Sequence, residues 1–364
     1  MVPGVGVDKK LLAWVGGEFF MQHMQAEGFR VVRLPLTSPG AFSWDEICEA
    51  CGEAPDAVVY TDRSLPPPLL GLERYPALTA FYCIDSHIHG WYPLYAGAFD
   101  LCAVSLKGDV ERFAAELSPQ RVLWLPPFAE DRYQPRPVGA VVEVEAGGAV
   151  EADGVGEVHK DFDLLFVGTV DPETTPQRFD FLKRLKQAFP GLASRRGDFT
   201  RLLPRARVAL NIAERGDLNF RVFEALACGA CLLTPRIANG QAELFEDGVD
   251  FVTYEADNEA DCAAKARALL VDDARREALG RAGFVRVDAA HRPRHRAAAL
   301  AALLRQGFDE ALAARRLANP DHARISALRL LFLHWADNCA ADGDGVKLSA
   351  RYLAEARRLA VSCR

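Results

Sequence analysis

The chain has 364 residues, of which 50% are hydrophobic and 26% charged, and its formal net charge is −7. This composition is typical of a folded protein long enough for two domains, and it argues against an intrinsically disordered chain. The negative charge argues against a general nucleic-acid-binding protein, since such proteins usually have a basic face. We therefore expect no nucleic-acid partner.

No apolar run approaches the ~20 residues that a transmembrane helix needs. The first ten residues, MVPGVGVDKK, lack the apolar core of a signal peptide. We therefore expect a cytoplasmic protein without a transmembrane segment. The nine cysteines are odd in number and scattered along the chain, which predicts small buried thiols rather than disulfides.

Six short runs rich in Val, Leu and aromatic residues predict β-strands in the first third of the chain. The runs are continuously apolar rather than alternating, which is typical of parallel strands buried on both faces. An open α/β sheet is therefore expected for residues 1–135. The predicted strands span 10–17, 29–36, 56–62, 78–85, 99–106 and 121–128.

A change of composition at 136–160, with small residues and Gly-Gly, predicts a linker with a hairpin. A second β/α domain is expected at 161–288, then a crossover helix at 289–305 and a helical tail at 306–364. In such folds a cleft between the domains is a favoured ligand site. The second domain's predicted elements are strands at 161–169, 207–213, 230–234 and 250–255 and helices at 176–189 and 218–229.

Two CxxC pairs occur, Cys48/Cys51 and Cys228/Cys231. The first lies in a helical pattern and far from the second, which argues against a shared zinc site. The second falls where a helix ends, at Gly229, rather than where one begins. A thiol at that negative end of the helix dipole has a raised pKa, which argues against a redox motif.

The helix predicted to start near Asn219 suggests an anion site instead. Its first N–H groups have no intrahelical partners and lie at the positive end of the dipole. Arg221 adds a charge that can contact phosphate, and Glu224, one turn further on, can accept hydrogen bonds from sugar hydroxyls. This order suggests a diphosphate followed by a ribose. The alternative is a surface helix on which Arg221 and Glu224 form an i,i+3 ion pair.

The motif N-x-R-x-F-E-A-L-A-C-G-A-C-L-L-T, followed by ELFEDGVDFVTY and a helical ARALLVDDARREALGRAG, closely resembles GT-B glycosyltransferases of group 1. Within that group it is similar to the bacterial spore-maturation (CgeB-like) branch. The resemblance is specific from 161 to 304, weaker upstream, and does not cover the tail. It implies two Rossmann-like domains, of which the second binds a nucleotide-diphosphate sugar and the first presents the acceptor.

The resemblance also implies roles for individual residues. Glu224 would hold the ribose hydroxyls, and the backbone from Asn219 through Phe220 to Arg221 would face the diphosphate. Such enzymes need no metal ion or other cofactor, because the helix dipole and Arg neutralise the leaving diphosphate. The other residues that it places at the donor are Gly16, Gly17, Gly168, Thr169 and Arg178.

One position departs from the family pattern. Many relatives have a Glu eight positions before the ribose Glu, and here that position is Gly216, beside Asp217. A catalytically degenerate binding or assembly module is therefore an alternative, and a nucleotide-sugar epimerase is another, since the fold alone does not prove transfer. The tail is weakly TPR-like and is a candidate contact for a protein partner or a second subunit.

The segment CIDSHIH, 83–89, lies at the carboxyl end of a predicted strand and contains the other candidate catalytic side chains. Asp85 or His87 is a candidate general base for an acceptor hydroxyl. The H-x-H pattern also occurs in metal sites, but the chain offers no convincing further ligand. The third interpretation is structural, with Asp85 and His87 hydrogen-bonded to each other to fix the loop.

The resemblance makes a UDP- or GDP-type sugar the expected donor, without naming its sugar. The acceptor is a glycan, a lipid-linked glycan or a protein.

Overall fold

The chain divides into two compact units in a computed structural model that describes residues 9–135, 160–341 and 345–362. Unit 1 comprises Met1–Pro126 and Arg294–Arg364, and unit 2 comprises Pro127–Pro293. The linker and hairpin predicted for 136–160 lie outside the described residues, apart from Lys160.

Unit 1 is built on a six-stranded sheet in which every pairing is parallel, with the order β2-β1-β3-β4-β5-β6. The first five strands lie within their predicted ranges, and β1, β3, β4 and β5 are buried along their whole length. Continuous burial explains their continuous apolar runs. The strands are β1 (Leu11–Gly16), β2 (Arg30–Pro35), β3 (Ala57–Thr61), β4 (Leu78–Cys83), β5 (Leu101–Val104) and β6 (Val122–Trp124).

Strand β6 is shorter than predicted. The expected strand covered 121–128, but β6 ends at Trp124. Leu125 still donates its N–H to Val104 O at 2.8 Å. Pro126 and Pro127 follow, and proline has no N–H to continue a ladder, so the strand stops there.

Three helices belong to the first segment of unit 1: α1 (Trp44–Cys51), α2 (Tyr92–Ala96) and α3 (Val110–Glu116). Helix α1 begins at a capping box between Ser43 and Glu46 and ends at Gly52, which has a φ of +77°. It contains the first CxxC pair, as predicted. Burial raises the pKa of Cys51 to about 11, so this thiol is not a ready thiolate.

Unit 2 contains a five-stranded sheet, also parallel, in the order β11-β10-β9-β7-β8. Six α-helices accompany it in the described part of unit 2, residues 127–135 and 160–293. Its strands are β7 (Phe162–Val167), β8 (Leu192–Arg195), β9 (Ala206–Leu210), β10 (Leu232–Pro235) and β11 (Val252–Tyr254), and its helices are α4 (Pro176–Ala188), α5 (Phe199–Leu202), α6 (Phe220–Ala227), α7 (Gln241–Leu244), α8 (Glu259–Leu270) and α9 (Asp273–Ala290). Two parallel-sheet α/β domains are thus confirmed.

Helix α6 ends as predicted. Gly229 has a φ of +69°, the left-handed conformation of a C-terminal glycine. Cys228 and Cys231 are both buried, and burial raises the pKa of Cys231 to about 12. The structure thus disfavours the redox interpretation of this CxxC pair.

The remaining helices are α10 (Pro293–Asp309), α11 (Leu312–Ala318), α12 (His322–Ala340) and α13 (Val346–Ser362). The last three are the helices predicted for the tail, and they pack into the core of unit 1. Phe332 of α12 stacks on Tyr352 of α13, with 5.5 Å between ring centroids, and Tyr352 OH donates to Pro67 O at 2.9 Å. Among the described residues, no helix combines the length and the apolar character needed to cross a membrane.

Two glycines of α9 allow this helix to lie directly against its neighbours in unit 2. A Cβ at Gly280 would be 2.3 Å from Gly229 O. A Cβ at Gly283 would be 2.6 Å from Leu226 Cδ2 and 2.7 Å from Asp250 O. Contacts this short are not tolerated, so α9 needs glycine at both positions.

We expect Gly283→Ala to destabilise unit 2 by about 1–3 kcal/mol, because an added methyl group overpacks the interface. All five tryptophans, at 14, 44, 91, 124 and 335, belong to unit 1. Denaturant unfolding followed by circular dichroism should therefore show the loss more strongly than tryptophan fluorescence does.

The control is Ala278→Gly, the reverse change at an exposed position of the same helix. It measures the helix-propensity difference alone, which is about 1 kcal/mol. If Gly283→Ala instead stabilised the protein by that amount, the packing constraint on α9 would be refuted.

Candidate functional site

The amino-terminal end of α6 carries the motif that suggested an anion site. Asn219 precedes the helix in an extended conformation, and its Nδ2 donates to Ile212 O at 3.1 Å. Its side chain makes no capping hydrogen bond to the helix. The Asn219 backbone O accepts from Val222 N–H at 3.3 Å, and no Asn219 side-chain cap covers the start of α6, which is the positive end of the helix dipole.

Arg221, in the first turn of α6, is fixed by the ends of two strands. Its Nε donates to Val167 O, at the end of β7, at 3.0 Å. Its Nη1 donates to Asn211 Oδ1, just beyond β9, at 3.3 Å. The guanidinium also lies 5.0 Å from the centroid of the Phe166 ring. These contacts hold one cation at the carboxyl edge of the sheet.

Arg178, in the first turn of α4, brings a second guanidinium to the same ring, 5.7 Å from the centroid of Phe166. Its Nη1 donates to Thr169 O at 2.9 Å, and its Nη2 lies 3.0 Å from Glu214 Oε1. Burial, and then the charge of Arg178, lower the pKa of Arg221 to about 10. Glu214 pairs directly with Arg178, and the charges of Glu224, Asp217 and Glu214 act on Arg221 against these two effects. The two guanidinium groups can still bind an anion through charge-assisted hydrogen bonds.

Gly168 makes room for this arrangement. A Cβ there would lie 2.8 Å from Arg221 Nη2 and 3.0 Å from Phe166 Cζ. Any side chain would therefore displace the arginine or the ring on which it packs. The next residue, Thr169, is exposed and contributes its carbonyl to Arg178.

Glu224 lies one turn beyond Arg221, but its hydrogen-bond partner is Tyr133. Burial raises the pKa of the Glu224 carboxyl, and the hydrogen bond from Tyr133 and the charge of Arg221 oppose that rise. Arg221 donates its own hydrogen bonds elsewhere, to Val167 and Asn211. The simple surface ion pair considered from the sequence is therefore not the arrangement found.

Tyr133 is itself held in place from both ends. Arg292, which is fully buried, donates to Tyr133 O at 2.8 Å and to Glu130 O at 3.1 Å. Arg132 Nη2 donates to Tyr133 OH at 3.1 Å. The segment before residue 136 is thereby fixed beside α6, where it orients the Glu224 carboxylate.

Phe220 and Gly216 complete the loop that leads into α6. The Phe220 ring packs edge-on against Phe128, with 5.5 Å between centroids. Gly216 has a φ of +71°, and a Cβ there would meet nothing within 4 Å. Its carbonyl accepts a hydrogen bond from Asn239 Nδ2 at 2.6 Å. The space beside Gly216 is open, and the left-handed conformation itself favours glycine there.

Gly16 and Gly17 lie in unit 1, where β1 ends. A Cβ at Gly16, whose φ is +107°, would be 2.1 Å from Thr61 O. Gly17 O accepts hydrogen bonds from Trp14 Nε1 at 2.6 Å and from Thr61 Oγ1 at 2.7 Å. Glycine therefore lets the loop after β1 touch the end of β3, and these two bonds fix it there.

Asp85 follows β4, at the same carboxyl edge of the unit 1 sheet. Its carboxylate accepts a hydrogen bond from Ser64 Oγ, and no bond to His87 forms in the described structure. Its backbone N–H donates to Asp62 Oδ2 at 2.8 Å, as that of Ile84 does at 3.0 Å. Asp62 is buried, and burial raises the pKa of its carboxyl. Asp62, not His87, therefore fixes the loop that carries Asp85.

The two histidines of this loop each keep a buried ring nitrogen without a hydrogen-bond partner among the described residues, Nδ1 of His87 and Nε2 of His89. The His89 ring packs 4.8 Å from that of Tyr92. No group of three or more His, Cys, Asp and Glu side chains in the described part of the chain could hold a metal ion. The H-x-H pattern thus has no third ligand of these types there.

The predicted site residues thus fall into two sets, one in each unit. Unit 2 brings together Gly168, Thr169, Arg178, Asn219, Phe220, Arg221 and Glu224 around the start of α6. Unit 1 carries Gly16, Gly17, Asp85 and His87 at the carboxyl edge of its sheet.

Sequence reasoning did not identify several partners of these residues. Asn211 and Glu214 follow β9, so the rule that ligands bind beyond the carboxyl ends of strands could have found them. Asp62 follows β3 in the same way. Tyr133 lies 91 residues before Glu224 (224 − 133) in a segment without periodicity, and no sequence signal connects the two.

One family model matches part of the chain. Residues 164–302 match a family model described as "Glycosyl transferase-like". This range includes the whole of α6 and every predicted donor residue of unit 2. No curated protein sequence matches the chain.

Solved structures resemble the chain over most of its length. They include sucrose-phosphate synthase from Thermosynechococcus elongatus, with a TM-score of 0.55, 11% identity and coverage of 83% of this chain and 100% of that chain. Anabaena HepE in complex with UDP and glucose has a TM-score of 0.54, 8% identity and coverage of 82% and 100%. At such low identity the likeness shows the fold, which is that of GT-B glycosyltransferases with a C-terminal helical region.

The raised pKa of Glu224 predicts that Glu224→Gln stabilises the unliganded protein at neutral pH. A glutamate usually titrates near 4.5, and the folded state holds this proton more tightly than the unfolded state does. Stability is therefore lost as the pH rises from below 4.5 through the folded pKa. Glutamine accepts the Tyr133 hydrogen bond without a charge, so its melting temperature should equal that of the wild type at pH 4 and exceed it at pH 7.

Melting curves at the two pH values, followed by circular dichroism, test this expectation. The control Glu173→Gln changes an exposed carboxylate of the same unit and should shift neither curve. A Glu224→Gln variant that is less stable than the wild type at pH 7 would contradict the assignment of a buried, destabilised carboxylate.

Proposed function

We propose that the chain is a metal-independent glycosyltransferase that moves a hexosyl group from a nucleoside-diphosphate sugar to a hydroxyl group of an acceptor. The observation that carries the proposal is the pair of guanidinium groups, Arg178 and Arg221, beside the start of α6, with Glu224 one turn further on. The glycosyl transferase-like family match and the GT-B fold support it.

The diphosphate of the donor binds at the start of α6. Arg221 and Arg178 repel each other in the free protein, and a diphosphate placed against both would relieve that repulsion. The first backbone N–H groups of α6 add hydrogen bonds, and the absence of a side chain at Gly168 leaves space for the phosphates. The same groups stabilise the charge that develops on the leaving diphosphate, so no metal ion is needed.

Glu224 binds the ribose hydroxyls. A carboxylate accepts two hydrogen bonds readily, and the Tyr133 hydroxyl keeps one oxygen oriented so that the other can face the sugar. The nucleoside is of the uridine or guanosine type. The Anabaena structure is a complex with UDP and glucose, which supports uridine as the first choice to test.

Unit 1 supplies the acceptor side of the reaction. Asp85, or His87 beside it, takes the proton from the acceptor hydroxyl as that oxygen attacks the sugar carbon. Asp62 and Ser64 position the Asp85 carboxylate for this role. The Gly16-Gly17 loop closes over the donor. The acceptor is a glycan, a lipid-linked glycan or a protein, and the spore-maturation (CgeB-like) branch is the one we favour.

A catalytically degenerate binding module is the second candidate, and the open space at Gly216 favours it. A transferase of this family commonly has a carboxylate at that position, and here a Cβ would meet nothing within 4 Å. A binding module would hold the nucleotide without consuming the sugar donor. Release of nucleoside diphosphate from the donor therefore separates the two functions.

Nucleoside diphosphates should stabilise the protein with or without EDTA. At a concentration ~100-fold above the dissociation constant, a ligand adds about 2.7 kcal/mol. In a panel of UDP, GDP, ADP, CDP and dTDP we expect one nucleotide to raise the melting temperature clearly. Arg221→Gln should weaken its binding by about 10-fold or more, because a charge-assisted hydrogen bond to phosphate is lost.

The matched control is Arg281→Gln, an exposed arginine on α9 that pairs with Glu277. It should bind the nucleotide as the wild type does. No thermal shift with any nucleotide, or stabilisation that disappears with EDTA, would contradict the proposed donor site.

Asp85→Asn should slow donor turnover by about 10²–10⁴-fold while nucleotide affinity stays unchanged, since a general base acts on the acceptor and not on the nucleotide. Slow hydrolysis of the sugar nucleotide, with water as the acceptor, measures this without a known acceptor. Asp109→Asn, which changes a partly buried carboxylate that pairs with Arg112 in the same unit, is the control. Equal turnover by Asp85→Asn and the wild type would remove Asp85 from the mechanism.

A further inference from the structure

A cavity of about 660 Å³ lies in unit 1, at the amino edge of the sheet. Asp100 and Arg121 line it, and they immediately precede β5 and β6. Asp85 follows β4, at the opposite edge. A six-residue strand is about 20 Å long, so the cavity is separate from the Asp85 loop. It is also separate from the donor residues, which belong to unit 2.

The opposite wall of the cavity comes from α11 and α12, and two arginines fix it to the sheet. Arg316 donates to the carbonyls of Leu72, Tyr75 and Ala77 at 2.8–2.9 Å. Arg324 donates to Glu116 O, at the end of α3. Because both sides are tied down, the cavity is preformed, as small-molecule sites usually are.

The cavity lining carries an excess of positive charge. Five arginines and three carboxylates face it, and each carboxylate is already engaged by an arginine. Asp100 Oδ1 lies 3.3 Å from Arg316 Nε, Asp321 pairs with Arg324 at 3.1 Å, and Glu73 pairs with Arg358 at 2.6 Å. Each acidic group of the lining therefore has an arginine other than Arg121 within ion-pair distance.

Arg121 is the cation left over. It is half-buried, and its guanidinium forms no hydrogen bond or ion pair with any described residue. Its charge still acts on Asp100. Burial raises the pKa of the Asp100 carboxyl, and the charge of Arg316 and, more weakly, that of Arg121 lower it. This guanidinium therefore has no acceptor among the described residues, and an anionic ligand in the cavity can bind it through charge-assisted hydrogen bonds.

The rest of the lining contains three polar side chains, Ser118, Asn319 and His322, and an apolar part. Phe99, Leu117, Ile325 and Leu328 are buried, and Leu317, 42% exposed, lies at the rim. An inorganic anion would leave this surface uncovered. The lining therefore suits a molecule with both an apolar body and a charged group.

We propose that this cavity binds a small organic anion with an apolar body and one carboxylate or phosphate group. The anionic group contacts Arg121, and the body packs between Phe99 and the apolar side chains of α12. The bound anion connects the C-terminal helices to the sheet and stabilises unit 1. This site is independent of the proposed donor site in unit 2.

Calorimetric titration of the full chain with three probes tests the proposal: 1-naphthoate, 1-naphthyl phosphate and the neutral 1-naphthalenemethanol. At least one anion should bind about 10-fold more tightly than the alcohol, which is the effect of one charge-assisted hydrogen bond. The better of the two anions identifies the preferred charged group. Arg121→Gln should remove the preference for the anions, while Arg112→Gln, an exposed arginine of α3, should keep it.

Leu317→Glu is the second test, because its exposed position makes misfolding a minor concern. The new carboxylate at the rim should weaken the binding of the two anions and leave the binding of the alcohol unchanged. Nucleotide binding, which reports on unit 2, should be the same in every variant. Equal binding of anions and alcohol by the wild type, no binding of either anion at about 1 mM, or full anion binding by both Arg121→Gln and Leu317→Glu would overturn the proposal.

Discussion

Two guanidinium groups that share one aromatic ring set the main constraint on unit 2. Placing Arg178 and Arg221 beside Phe166 costs free energy, because both lose water and each raises the energy of the other. The surrounding structure offsets part of this cost with the carbonyl groups of Val167 and Thr169, at and just beyond the end of β7, and with the carboxylate of Glu214. An anionic ligand bound to both arginines would reduce their repulsion further. Gly168, which leaves space beside Arg221, and the start of α6, which has no side-chain cap, also favour the binding of an anion.

The sequence predicted elements well where burial dictated composition. Strands such as β1, β3 and β4 are buried on both faces, so their apolar runs could not be mistaken for loops. The edge strand β8 was missed because only Leu192 of its four residues is buried, and LASR has no apolar run. The strand at 121–128 was predicted too long because the prolines that end β6 lie within an otherwise strand-like run.

The candidate site was predictable to the extent that it is local in sequence. Asn219, Arg221 and Glu224 share one helix start, so helix geometry alone places them together. Arg178 was assigned to the same site from the family resemblance, and helix geometry alone would not have placed it there. Tyr133 and Asp62 remained hidden, since their roles come from contacts across sequence separations that no pattern records. The alternative in which Asp85 and His87 bond each other was also wrong, because Asp85 accepts instead from Ser64, which is distant in sequence.

The packing of α12 and α13 into unit 1 has a consequence for biosynthesis. Unit 2 is continuous in sequence, and all its residues emerge from the ribosome before α12 does. The core of unit 1 includes Tyr75 and Tyr95 as well as Phe332 and Tyr352, so its apolar surface stays incompletely covered until α12 and α13 have been synthesised. Such delayed closure exposes a chain to aggregation. The order of synthesis therefore lets unit 2 complete its own set of residues first, whereas the core of unit 1 is completed only by α12 and α13.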